Sequence, residues 1–143
     1  MTSFTLAVSV DRPYAETVDR VREALAEQGF GVLTEIDLSR TLAEKLGVEV
    51  GRQVVLGACR PQLAHAALLA DPSIAAVLPC NVVVRELDGQ TTLVEAFDPA
   101  AMMALADNAA LDVVGAEARD RISAALATLD RSDRSADVTT RRP

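Results

Sequence analysis

Apolar residues fall on every second position from Phe4 to Val10 (FTLAVSV), the period of a strand with one buried face. The period lengthens after Asp11-Arg12-Pro13. Val18, Val21, Ala24 and Leu25 recur at helical spacing, while Glu16, Asp19, Arg20, Arg22 and Glu23 supply a solvated face. Proline suits the start of that helix, where its missing N–H has no helical partner to lose, and Gly29 suits its end. Phe30–Leu38 is predicted as a second strand. Ser39 is the expected N-cap of a short helix from Arg40 to Leu46, stopped by Gly47. Gln53–Cys59 is continuously apolar, which predicts a central strand. A helix from Pro61 to about Ala70 follows, closed by Asp71-Pro72. Asn81–Leu87 and Thr91–Phe97 are β-rich runs joined around Asp88-Gly89, the signature of a tight hairpin. Asp98-Pro99 opens a helical turn around Met102. Asn108 then caps a last helix, Ala109 to Leu129, with Leu111, Val114, Ala118, Ile122, Ala125 and Leu129 on one side.

The order β-α-β-(α)-β-α-β-β-α predicts one α+β domain over residues 1–130. Residues 131–143, polar and rich in Arg and Ser, are expected to be a flexible tail. Asp11-Arg12-Pro13 and Cys59-Arg60-Pro61 punctuate their strand-to-helix passages alike. Two readings of this echo stand open: a duplicated βαβ half, or the general preference for proline at helix starts.

The chain has 143 residues and half of them are hydrophobic, enough for a core and too many for a disordered chain. Its aromatics are few (Phe4, Tyr14, Phe30, Phe97), so Ala, Val and Leu must fill that core. No apolar run approaches the roughly 20 residues that span a bilayer. Met1 to Val10 has no basic lead and no small-residue cleavage site, so no signal peptide is expected. A cytoplasmic location with reduced thiols follows for the two cysteines, Cys59 and Cys80. The formal charge is −7, and the four arginines of residues 131–143 outnumber their two aspartates, so the body is more acidic still. An acidic body without a basic, aromatic-studded stripe argues against nucleic acid as a partner.

Phe30-Gly31-Val32-Leu33-Thr34-Glu35-Ile36-Asp37 precedes two compact blocks: Leu56-Gly57-Ala58-Cys59-Arg60-Pro61 with Leu63-Ala64-His65, then Leu78-Pro79-Cys80-Asn81-Val82-Val83-Val84. In this order they resemble the domain-of-unknown-function 302 family of bacteria and archaea. The resemblance covers most of residues 4–130. It implies a curved, mainly antiparallel sheet of about five strands backed by helices, and homodimers in which helices are exchanged or packed across subunits. It implies no established activity. Where the family commonly has Asn between Cys and Pro, this chain has Arg60. The exchange removes an N-cap worth about 1 kcal/mol and puts a cation beside Cys59.

Cys59 lies where a strand passes into a helix, and a helix start beside Arg60 favours a thiolate there. It can equally be a small buried hydrophobe at a strand end. Cys59, His65 and Cys80 are suitable soft-metal ligands, but their spacing is not that of a zinc ribbon and no fourth ligand is evident. If the helix after Cys59 makes a full crossover, Cys59 and Cys80 stand at opposite ends of a parallel strand pair, too far apart for a disulfide. His65, the one histidine, is either a titrating group or a surface residue. The amide of Asn81 could orient a ligand or cap a turn. No phosphate loop, catalytic triad or carboxylate pair stands out. No catalytic residue, metal ligand or cofactor is assigned, and the balance leans away from an enzyme. The expected function is a homodimeric binding module with a small-molecule pocket near Cys59, His65 and Asn81, and Arg60 and Cys80 complete the candidate set. The alternatives are a thiol-redox or metal-handling protein using Cys59 and Cys80, and a purely structural assembly domain.

Overall fold

The structure, a computed structural model, describes the backbone of residues 4–140 and the side chains of residues 4–130. Strands β1 (Thr5–Val10), β2 (Gly31–Asp37), β3 (Gln53–Cys59), β4 (Cys80–Asp88) and β5 (Thr91–Phe97) form one sheet in the order β1-β5-β4-β3-β2. Every neighbouring pair is antiparallel. Between the strands run helices α1 (Tyr14–Glu27), α2 (Leu38–Leu46), α3 (Pro61–Ala70), α4 (Pro99–Ala104) and α5 (Ala109–Thr140), with a 3₁₀ segment at Pro72–Val77. The fold is the α+β arrangement that the order of elements predicts, an open antiparallel sheet backed by helices.

Alternation sorts the sheet into two faces. Val54, Leu56, Ala58, Val82, Val84, Val94 and Ala96 point into the main core, where Val21, Ala24 and Leu25 of α1 and Ile122, Ala125, Leu126 and Leu129 of α5 meet them. The other face carries Val55, Asn81, Val83, Arg85, Leu93, Glu95 and Phe97, all exposed or half-buried. A second cluster joins Leu63 and Ala67 of α3, Ile74, Cys80, Met102 and Met103 of α4, and Leu111, Val114 and Ala118 of α5. All six apolar positions expected on one side of the last helix are buried. Thr17, which hydropathy does not single out, is buried too, because its hydroxyl donates to the Pro13 carbonyl at 2.9 Å and leaves no polar group unsatisfied.

Three expectations are corrected. The cap of α2 is Asp37, not Ser39: the Asp37 carboxylate accepts from the Arg40 N–H at 3.0 Å, and the Ser39 hydroxyl donates to that same carboxylate at 2.8 Å. Gly47 does end α2, in the left-handed region at φ +68°. Helix α5 continues to Thr140, beyond the Leu129 end that the apolar stripe predicts. The flexible tail expected over residues 131–143 lies outside the described side chains.

The third correction concerns the crossover. Helix α1 links β1 to β2, the two edges of the sheet, whereas α3 and the 3₁₀ segment return the chain to β4, the antiparallel neighbour of β3. A return of this kind puts the end of β3 and the start of β4 at the same end of the sheet. Cys59 and Cys80 are therefore near one another, not a strand length apart. The two Arg-Pro units make different connections, and their likeness reflects proline's use at helix starts.

Candidate functional site

Ala58 and Cys80 are paired across β3 and β4, so Cys59 stands one residue from the partner of Cys80. Both thiols are free. Adjacent residues on a strand project to opposite faces, so this closeness of backbone does not by itself aim one sulfur at the other. Burial pushes the Cys59 thiol above its ordinary value. Burial, with a smaller contribution from the nearby charge of Cys59, pushes Cys80 up to about 11. Desolvation, not the thiolate-favouring effect expected of a helix start beside Arg60, sets the direction at Cys59. Neither sulfur has the lowered pKa of a reactive cysteine.

Cys59, Arg60 and Cys80 border one cleft, walled by Phe30, Ala58, Leu63, Leu78, Met103 and residues of α5, whose free space is about 30 Å³. Arg60 makes no side-chain capping bond at the start of α3. Its side chain instead lies over the turn after α1. A Cβ on Gly29 would stand 2.9 Å from Arg60 Nε, a side chain that could move aside, but φ +82° at Gly29 itself favours glycine there. Arg60 Nε is buried and has no hydrogen-bond partner among the described residues. An orphaned donor beside apolar walls is costly unless something accepts from it.

His65 and Asn81 lie elsewhere. His65 is exposed on α3 between the buried Leu63 and Ala67 and does not line the cleft. Asn81 follows Cys80 on a strand and so faces the opposite side of the sheet. There it lines a separate cleft of about 250 Å³ with Phe4, Thr5, Val83, Glu95 and Phe97. Among the described residues no group of three or more His, Cys, Asp or Glu is placed to hold a metal ion. No helix of the described residues is long and apolar enough to cross a membrane.

A family model described as "Domain of unknown function DUF302" matches residues 6–129. The chain belongs to that family. A solved DUF302 relative, an uncharacterized conserved protein from Bacillus stearothermophilus, is 31% identical, with 87% of this chain and 97% of the relative covered at a TM-score of 0.81. No curated protein matches the chain. Within this DUF302 chain, Arg60 stands at the N-cap of α3 and leaves it without a side-chain cap.

Two signals in the sequence could have separated the five candidates. Alternation from Cys80 to Val84 already turns Asn81 away from Cys80. Helical spacing likewise puts His65 about 200° around α3 from Leu63 and Ala67's neighbouring turn, off the buried stripe. Glu95 and Phe97, which line the cleft with Asn81, occupy positions alternate to Thr92, Val94 and Ala96.

Proposed function

We propose that residues 1–130 form a single-domain, cytoplasmic, homodimeric binding module, not an enzyme, and that its ligand enters the Cys59–Arg60–Cys80 cleft. The observation that carries this is Arg60, which borders the apolar cleft and whose buried Nε has no hydrogen-bond partner among the described residues. A small carboxylate with an apolar tail fits that chemistry, since it would accept from the guanidinium and leave its tail against Leu63, Leu78 and Met103. The free space of about 30 Å³ holds about one water molecule. Binding therefore requires side chains to swing outward, and the unbranched Met103 is the one best suited to do so. The two raised thiol pKa values weigh against the thiol-redox alternative.

Hexanoate and its neutral analogue hexanol test this reading by amide NMR. Hexanoate is expected to shift Cys59, Arg60 and Cys80 saturably, and Arg60→Ala is expected to weaken it about tenfold, or about 1.4 kcal/mol. Equal binding of hexanol, or no shift at these residues, would sink the proposal.

Homodimerisation rests on the β2 edge. Six of its seven residues are exposed, all but Val32, and Leu33, Ile36, Leu46, Val48 and Val50 are exposed apolar side chains along β2, α2 and the segment after it. An unpaired edge with apolar flanks favours pairing with another chain. Sedimentation equilibrium is expected to report a dimer, and the double variant Ile36→Glu, Leu46→Glu a dissociation constant at least about tenfold higher. A monomeric wild type at high concentration would rule the dimer out.

A further inference from the structure

The cleft around Asn81 lies on the face of the sheet away from the cysteines, and its chemistry differs from theirs. Phe4 and Phe97 form one wall, ring against ring edge-on at a centroid distance of 6.2 Å and an interplanar angle of 74°. Phe4 is 68% exposed, a large aromatic surface for a chain with so few aromatic residues. Val83 adds an apolar floor. Thr5, Asn81 and Glu95 supply the polar groups, and Glu95 is the one charged residue lining the cleft.

Cross-strand register holds these groups together. Thr5 pairs with Phe97 between β1 and β5, and Val83 pairs with Glu95 between β4 and β5. The Thr5 hydroxyl donates to Glu95 Oε2 at 2.7 Å, which fixes the carboxylate. The other oxygen, Oε1, is 3.8 Å from Arg85 Nη2, an ion pair beyond hydrogen-bonding distance. Glu95 therefore presents a positioned carboxylate oxygen with unused acceptor capacity. The Asn81 side chain is exposed and makes no hydrogen bond among the described residues, so it can donate or accept toward a guest. Aromatic faces attract cations, and so does a chain of net charge −7.

We propose that this cleft, lined by Phe4, Thr5, Asn81, Val83, Glu95 and Phe97, binds a small organic ammonium ion. The ammonium group would donate to Glu95 Oε1 and its apolar body would lie against Phe4 and Phe97. An anion is disfavoured by Glu95. A purely apolar guest would leave the carboxylate without its new partner. The site is independent of the cysteine cleft, being on the other face of the sheet, so either can fail without the other.

Benzylammonium chloride is the probe, followed by amide NMR of the full chain, with benzyl alcohol and sodium benzoate as neutral and anionic comparators of the same shape. Saturable shifts of Thr5, Asn81, Val83, Glu95 and Phe97 are expected with benzylammonium, at least about tenfold tighter than with either comparator. Glu95→Gln keeps the size and the Thr5 hydrogen bond, and it is expected to abolish that preference. Arg85→Met removes the competing cation and is expected to tighten binding. Raising salt from about 0.05 to 0.5 M should weaken benzylammonium and leave benzyl alcohol unchanged, a measurement that needs no variant. The proposal is overturned by equal affinity for benzyl alcohol, by a Glu95→Gln variant that still prefers the amine, or by salt-independent binding. It is equally overturned if these amides shift on dilution without any amine and are silent to benzylammonium, since the cleft would then be occupied by a second copy of the chain.

Discussion

Leu56→Ala is expected to lower the unfolding free energy by about 3–4 kcal/mol in chemical denaturation. Leu56 is 0% exposed, at the middle of β3. It is held from both sides, by Val82 on β4 and by Glu35 on β2. The cost of deleting a buried side chain has two parts: the transfer of the lost methyl groups, and the cavity that remains where neighbours cannot close in. Here the strands on either side fix the backbone. The valines at 82 and 84, in the same core, are stiff at χ1 and cannot swing into the gap. The denaturant midpoint should fall with the slope unchanged. A loss below about 1 kcal/mol would mean that the two-layer core is less tightly packed than its burial indicates.

The second large effect is a loss of stability in alkali that belongs to Cys80. The folded thiol ionises at about 11, against 9.0 for the free group. The cause is first burial, which penalises the thiolate, and then the proximity of Cys59. Below pH 9 both states hold the proton and the shift contributes nothing to the slope. Between pH 9 and about 11 the unfolded chain binds fewer protons than the folded one, so stability falls as pH rises. It levels off once the folded thiol also ionises. A shift of this size corresponds to a loss of about 2–3 kcal/mol across the window. Tyr14 and Cys59 are also shifted upward, by burial first in each case, and they add slopes of the same sign. The measurement that isolates Cys80 is therefore a comparison of wild type with Cys80→Ala over this range, by denaturant titration at each pH. The two curves should converge as pH rises, and parallel curves would refute a raised Cys80.

These effects are legible to different degrees in the chain itself. The strand Gln53–Cys59 is almost wholly apolar, and its place inside the sheet, between two neighbours, could be read from it. Helix α5 was legible in the same way. Its apolar residues recur at helical spacing, and burial of Leu111 through Leu129 follows from that period alone. The N-cap of α2 was not legible. Asp37 and Ser39 are both good caps, and the choice depends on where β2 stops. Nor was Thr17, whose burial depends on the Pro13 carbonyl one turn earlier accepting from its hydroxyl as well as from its backbone N–H.

The candidate site shows the division most clearly. Local chemistry marks Cys59, Arg60 and Cys80 as unusual, but it does not say whether they meet. Had the segment between them made a full crossover, β4 would have run parallel to β3 and the cysteines would have stood a strand apart. Helix α3 instead turns back, because Leu63 and Ala67 find their partners in α4 and α5 at the same end of the sheet. That packing decides that the two thiols border one cleft. It also leaves His65 in solvent, while the pleat of β4 puts Asn81 on the far face. Sequence by itself determined the elements, their periods and the faces they would bury, because each of these depends on neighbours within a few turns of chain. Which end of the sheet received Cys80, and which residues from distant strands came to stand beside Asn81, was decided only in the tertiary structure. Strand pairing and the direction of a helical return are settled by contacts between segments far apart in the chain, and no local pattern encodes them.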